Sequence, residues 1–448
     1  MSMAKEIDLC EGKILPKILL FSFPIIVGNL FQQAYNLVDT LIVGRVLGPD
    51  SLASVGSAYA LMTFINSLLI GLSMGSGALF SYNWGKGEKT ELRKDIYNSF
   101  ILFSILSILL TTICYAFLNQ ILFILRTPTE LLAEEREYLK TIFLGIFFVY
   151  LYNYVSYILR SKGDSKTPLY FLILSALINI ALDLFFVIRL KRGVKGAGEA
   201  TVIAQAFSAI GITAFFFMRN KNLLPQKEER VIETSRIKNI LRYSFLTSTQ
   251  QSVMNFGILM IQSLVNSFGS ITMAAFAASV KIDTLSYTPS QEFGNAYSIF
   301  ISQNLGANKK ERVKKGTKEA FILTSLVAII LSIIIYTFSS NLMELFVNKD
   351  EIEVIKIGVE YLHIEGTFYC GIALLFSLYG YYRGIGRPEY SIVLTVISLG
   401  LRVLLAYCLS PYWGRKAIWW SIVIGWVVAD ITGLVLLKFV KVKEGESL

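Results

Sequence analysis

Two aspartates lie where acids are costly. Asp39 falls inside the first long apolar run, Ile14 to Val46, and Asp183 inside the fifth, 168–190. An aspartate at the centre of a membrane helix costs about 2.5–3.5 kcal/mol on insertion scales, so a chain that keeps one there uses it. Gln32, Tyr35, Asn36 and Asp39 recur at i, i+3/i+4 and i+7 and share one helix face, with Leu30, Leu37 and Leu41 elsewhere. That face must look into a bundle or a wet cavity. Asn179 and Asp183 are one turn apart on the fifth run, as are Thr201 and Gln205 on the sixth. Two carboxylates with Asn and Thr oxygens form an all-oxygen set, suited to a proton or a hard cation such as Na⁺ and not to zinc. The structural alternative makes each acid a packing device, hydrogen-bonded to a neighbouring helix.

Other polar residues fall in later runs: Gln250, Gln251 and Asn255 in the seventh, Lys281, Asp283 and Glu292 in the eighth, Arg402 in the eleventh. Glu292 reads either as a substrate-facing acid or, with Lys281 three turns away, as an interhelical Lys–acid pair. Asp283 points roughly opposite Glu292. Arg402 is expected to neutralise a buried acid. His363 and Glu365 stand beside Tyr361, Tyr369, Tyr379, Tyr381 and Tyr382. A lone membrane histidine is the mark of a satisfied polar group more than of a ligand. Tyrosine rings lining a cavity could take an organic cation through cation–π contact. Asp430, near the end of the last run, is expected to snorkel or pair.

The elements that position these residues are long and apolar. Hydrophobic residues make up 54% of the chain and charged ones 17%, against roughly 25% charged in soluble domains. Twelve runs of spanning length are expected: 15–43, 51–82, 96–119, 136–160, 168–190, 197–218, 238–267, 272–303, 318–340, 353–382, 388–409 and 416–438. They are too long for membrane strands, so an all-α integral membrane bundle is predicted. Pro24 and Pro289 should each kink their run. Residues Met1–Gly12 carry both charges and no apolar core, so no cleavable signal peptide is expected.

The net charge of +10 sits in short loops. With the N-terminus cytoplasmic, Lys and Arg on that side outnumber the other roughly two to one, which predicts both termini inside. The count includes Arg126, Lys441 and Lys443. Without an aromatic and basic platform, nucleic acid is not an expected partner. Cys10, Cys114, Cys370 and Cys408 form no CxxC pair, so neither a zinc site nor a disulfide framework is implied.

The chain is also repeated. The stretch "SFPIIVGNLFQQAYNLVD…SYNWGKGEK" from Ser22 parallels "SFLTSTQQSVMNFGIL…SQNLGANKK" from Ser244, and Pro168 parallels Pro388. The halves are 1–218 and 238–448, joined by a cytoplasmic linker, 219–237. Two six-span halves of like orientation imply a pseudo-two-fold axis along the membrane normal, which suits alternating access. The copies are unequal: Asp39 aligns with Ile261, Asn179 with Leu399 and Asp183 with Val403. Coupling chemistry is therefore expected in the first half alone.

Taken together, these residues resemble the multidrug and toxic compound extrusion (MATE) transporters over nearly the whole chain. The markers are "FPIIVGNLFQQAYNLVDTLIVGRVLG", "GDSKTP", "NIALD", "GAGEATVIAQ" and "QNLGANKK", in this order and spacing. The resemblance implies twelve helices in two lobes and export driven by H⁺ or Na⁺. It places the first-lobe cation site on Asp39, Asn179, Asp183 and Thr201 and the bend of the first helix at Pro24. Some branches use acids of spans seven and ten for a second-lobe site. Here span seven offers Gln250, Gln251 and Asn255, and the chain looks closer to the DinF-like branch.

The expected protein is thus a bacterial inner-membrane antiporter, monomeric, without cofactor beyond its coupling ion, and not an enzyme. Its cargo would be amphiphilic, often cationic, small molecules. A flippase for lipid-linked sugar or peptidoglycan precursors is the rival, but it should carry several deep Arg and Lys for pyrophosphate, and only Lys281 and Arg402 lie deep. A membrane enzyme would need a nucleophile, base and metal cluster on one face, and the single His with no HExxH or GxSxG argues against it.

Overall fold

The computed structural model describes residues 6–125 and 127–440, so Arg126, Lys441 and Lys443 of the charge count lie outside the described residues. Twelve helical rods follow one another: α1 (Ile14–Val46), α2 (Pro49–Lys86), α3 (Lys89–Ala116), α4 (Leu132–Ser161), α5 (Lys166–Arg189), α6 (Gly193–Arg219), α7 (Thr234–Asn266), α8 (Ser270–Gly306), α9 (Lys310–Met343), α10 (Ile352–Thr367 and Tyr369–Gly384), α11 (Pro388–Trp413) and α12 (Arg415–Phe439). No strand occurs among the described residues. Among the described residues, nine rods are long and apolar enough to cross a membrane, and α10 makes ten despite a 52° bend. The other two, α7 and α8, run 33 and 37 residues but carry the polar residues of the second half. The protein is a multi-pass membrane protein.

Where the rods break, the backbone gives the reason. α4 is interrupted between Phe143 and Ile146, at Gly145. α5 changes at Asp183 to a π-helical turn, Leu184–Arg189. α1 and α8 remain continuous helices through Pro24 and Pro289.

The repeat is written into the turns. Gly48 and Gly269, each before a rod of the same rank, have φ of 96° and 90°. Gly193 and Gly414 pair likewise at 61° and 59°. Gly87 at 79° has Asn308 at 56° as its counterpart, asparagine being the other residue that tolerates this region. Packing repeats as well: α2 lies on α4 and α5 on α6, while α8 lies on α10 and α11 on α12.

The chain divides into two compact units. The first takes residues up to Asp8 and Phe23–Ser248, the second Leu9–Ser22 and the chain from Thr249. The division therefore does not follow the linker read at 219–237, which stays with the first unit together with the first turns of α7.

In the first unit that segment is strapped down. Arg93 reaches Glu229 at 2.5 Å, and Arg236 reaches Asp95 at 2.5 Å and Glu91 at 2.6 Å. Asn98 binds the Val231 carbonyl and the Glu233 amide, each at 3.0 Å. In the second unit the opening segment is held by its backbone. Arg312 donates to the carbonyls of Leu9, Glu11 and Gly12, and Lys309 to that of Cys10.

Candidate cation site

The polar face of α1 and the end of the regular part of α5 converge in the first unit. The Asp39 and Asp183 carboxyl groups lie close enough to share a hydrogen bond. Helix register alone could not show that they meet. Asp183 is fully buried and Asn179, one turn before it, is 2% exposed. Asn179 Nδ2 donates to Thr201 Oγ1 of α6 at 3.4 Å, which draws the third rod in. The change of helical pitch falls at Asp183, a type of irregularity common at functional sites.

Acceptors outnumber donors here. Both Asp183 oxygens, Asp39 Oδ1 and Asn179 Oδ1 are buried without a hydrogen-bond partner. Buried polar atoms are rarely left so, and two carboxylates in contact cannot both stay charged without compensation. A proton, or a small hard cation that takes several oxygen ligands, would supply what the side chains lack. The donor set fits either.

Around this centre the other residues differ in placement. Tyr35 shares a hydrogen bond with Gln32 and stands near Asp39, Tyr59 and Tyr152. Asn36 is half-buried and its carbonyl accepts from Thr40 at 2.8 Å, while Gln32 is exposed. Gln205 points its Oε1, buried and unpartnered, against Gly145 at the break in α4. Tyr138 of α4 joins from the side, near Asp39, Asp183 and Tyr35. Nothing in the sequence singled it out, because a tyrosine on an amphipathic helix reads as core.

The second unit holds a separate polar cluster. Asp283 of α8 accepts hydrogen bonds from Tyr361 and Tyr369 of α10, and Tyr361 also meets Glu365. Asp283, Tyr361, Glu365 and Arg402 line one cavity, to which α7 contributes Met254 and Ile258. Gln250 is buried and Asn255 bonds its own helix at the Gln251 carbonyl; neither lines that cavity. Glu365, which the sequence places beside Tyr361 and Tyr369, is the acid that joins Asp283 here; the three recur at every fourth residue.

Several expectations for this half are corrected. Lys281 is exposed and makes no ion pair among the described residues, so it locks no acid. Glu292 instead accepts from Asn295 at 3.2 Å, and Asn295 is held in turn by Arg383 at 2.8 Å. Arg402 makes no ion pair within 4 Å among the described residues, although it faces two acids. Asp430 neither snorkels nor pairs: it is 7% exposed and its Oδ1 has no partner. His363 is satisfied by Ser339 at 3.0 Å and stacks on Tyr336.

Twelve long rods among the described residues, with repeated halves and a buried acid pair, make the design of a membrane transporter. The family model MatE matches residues 24–185 and 245–408. The chain belongs to the MatE family. It is 27% identical over 415 residues to the "Probable multidrug resistance protein YpnP" of Bacillus subtilis, covering 92% of each chain. It is 28% identical over 401 residues to the "Probable multidrug resistance protein YoeA" of the same organism, covering 88% of this chain and 86% of the relative. The fold matches that of a MOP superfamily transporter from Pyrococcus furiosus with a TM-score of 0.90 at 23% identity, over 98% of both chains.

Proposed function

We propose that this protein is a cation-coupled antiporter that exports amphiphilic, often cationic, organic compounds across a bacterial cytoplasmic membrane, with both termini inside. The observation that carries the reading is the meeting of Asp39 and Asp183 among unpartnered oxygens. The relatives named as multidrug resistance proteins support the cargo class. Asp39, Asn179, Asp183 and Thr201 would hold H⁺ or Na⁺, and Gln32, Tyr35, Asn36 and Gln205 would border the cargo path. Cation binding changes the charge of the pair and so biases the balance between inward- and outward-open forms. Pro24 is the point at which α1 would bend. No cofactor is needed, and a monomer suffices.

The test is efflux of a fluorescent organic cation from proteoliposomes, with a pH gradient or a Na⁺ gradient imposed separately. Uphill movement under one gradient supports the reading and names the ion. No movement under either, in folded protein, would sink it and turn attention to lipid flipping.

A further inference from the structure

Asp283 and Glu365 meet through one hydroxyl, and their carboxyl groups also lie close enough to share a hydrogen bond. Tyr361 Oη lies 2.8 Å from Asp283 Oδ2 and 2.7 Å from Glu365 Oε2. A phenol has one proton to donate, so it serves one carboxylate and leaves the other short of positive charge. Glu365 Oε1 has no donor at all, although the residue is only 1% exposed. Facing the same cavity from α11 is Arg402, whose Nε is buried without an acceptor. Its charge acts on Glu365, Tyr361 and Tyr287 across that space. An orphaned donor and an orphaned acceptor therefore share one enclosure. The cavity measures about 80 Å³. It has room for a few waters and lies below the space a drug-sized ligand needs.

We propose that this cavity is a cation site whose occupant is built into the chain: the Arg402 guanidinium, which in this structure faces Glu365 and Asp283 from beyond ion-pair distance, swings across it onto Glu365, in the place a soluble monovalent cation would take. The chemistry fits the guanidinium class. Its planar fork matches a carboxylate in two bonds. The walls supply the Tyr287, Tyr361 and Tyr379 rings, which favour a flat cation. A free cation is disfavoured while Arg402 stands there, because like charges would share a space of a few waters. The second unit thus offsets one of its two carboxylate charges without drawing a metal cation from either side of the membrane. This assignment is independent of the first-unit acid pair and of the coupling ion held there.

Chemical rescue tests it. Full-length Arg402→Ala protein is unfolded thermally in detergent with methylguanidinium at millimolar concentration, far below the molar range in which guanidinium denatures. Potassium chloride at equal ionic strength is the control. The variant should melt below wild type and recover saturably with methylguanidinium but not with potassium. Wild type should be unmoved by either. Arg402→Gln, which keeps more of the volume, takes the same test if the alanine variant does not fold. Arg402→Ala/Glu365→Gln should lose the rescue. No recovery in either single variant, an equal rise in wild type, or rescue that survives in the double variant would overturn the assignment.

Discussion

Asp183 has both carboxyl oxygens buried and no donor for either, so it is the residue on which the proposed coupling is tested first. Asp183→Asn keeps the shape but removes the charge that attracts a cation and the site that loses a proton. Uphill export in the proteoliposome assay should fall to background, with far-UV CD and melting temperature near wild type; undiminished export would remove the acid pair from the mechanism. Tyr138→Phe is a milder change. It deletes one hydroxyl beside the pair, and export should fall several-fold while the same gradient still drives it. Residue spacing made the Asn179–Asp183 face legible, since that is a property of one helix. It could not show Asp39 against Asp183, or Tyr138 beside them, because those meetings depend on how three rods cross. Lys281 shows the converse: register puts it on the Glu292 face and leaves an ion pair open, and only packing shows that side chain exposed.

Among the elements, small residues set how closely rods approach. Gly294 of α8 and Gly380 of α10 bring two backbones together: a Cβ at Gly294 would come within 2.5 Å of the Phe376 carbonyl, and one at Gly380 would run into the Gly294 carbonyl. Gly380→Ala should destabilise the second unit by about 1–3 kcal/mol, the usual cost of overpacking, seen as a lower melting temperature. The strap on α3 is electrostatic instead. Arg93 holds the Glu229 carboxyl below the usual carboxylate range. A depressed folded value means that the contribution is complete above the unfolded pKa of about 4.3 and is lost as pH falls through the folded one. Protease sensitivity or amide exchange of residues 220–233 should therefore rise below about pH 4 and not between 6 and 8. The rods themselves were legible as apolar runs. The break at Gly145 and the π-helical turn after Asp183 were not, since hydropathy averages over single-residue irregularities.

At the scale of the molecule, duplication is visible in sequence through matched motifs and in structure through matched left-handed turns. The matched residues have nonetheless diverged in use: Asn83 binds Asp95 at 2.6 Å, whereas its counterpart Asn304 binds the Leu9 carbonyl at 3.2 Å. The sequence could not reveal that the units exchange their opening turns, α1 passing between them at Ser22 and α7 at Ser248. A cut between Leu224 and Pro225 therefore leaves each fragment without part of its own unit. Neither fragment should accumulate when expressed alone, and the two should co-purify when expressed together. A stable single fragment would contradict the exchange.

That exchange also imposes an order in time. Leu9–Ser22 leaves the ribosome before any of the first unit from Phe23 onward, yet the unit it completes begins again only at Thr249. At about 5–20 residues per second the wait is on the order of tens of seconds. During that interval the opening segment has no Arg312, Lys309 or Asn304 to hold its carbonyls, while the first unit lacks the turns of α7 until they emerge. The first unit is complete in sequence once Ser248 has emerged, whereas the second cannot close around its opening segment until the eighth and ninth helices have arrived.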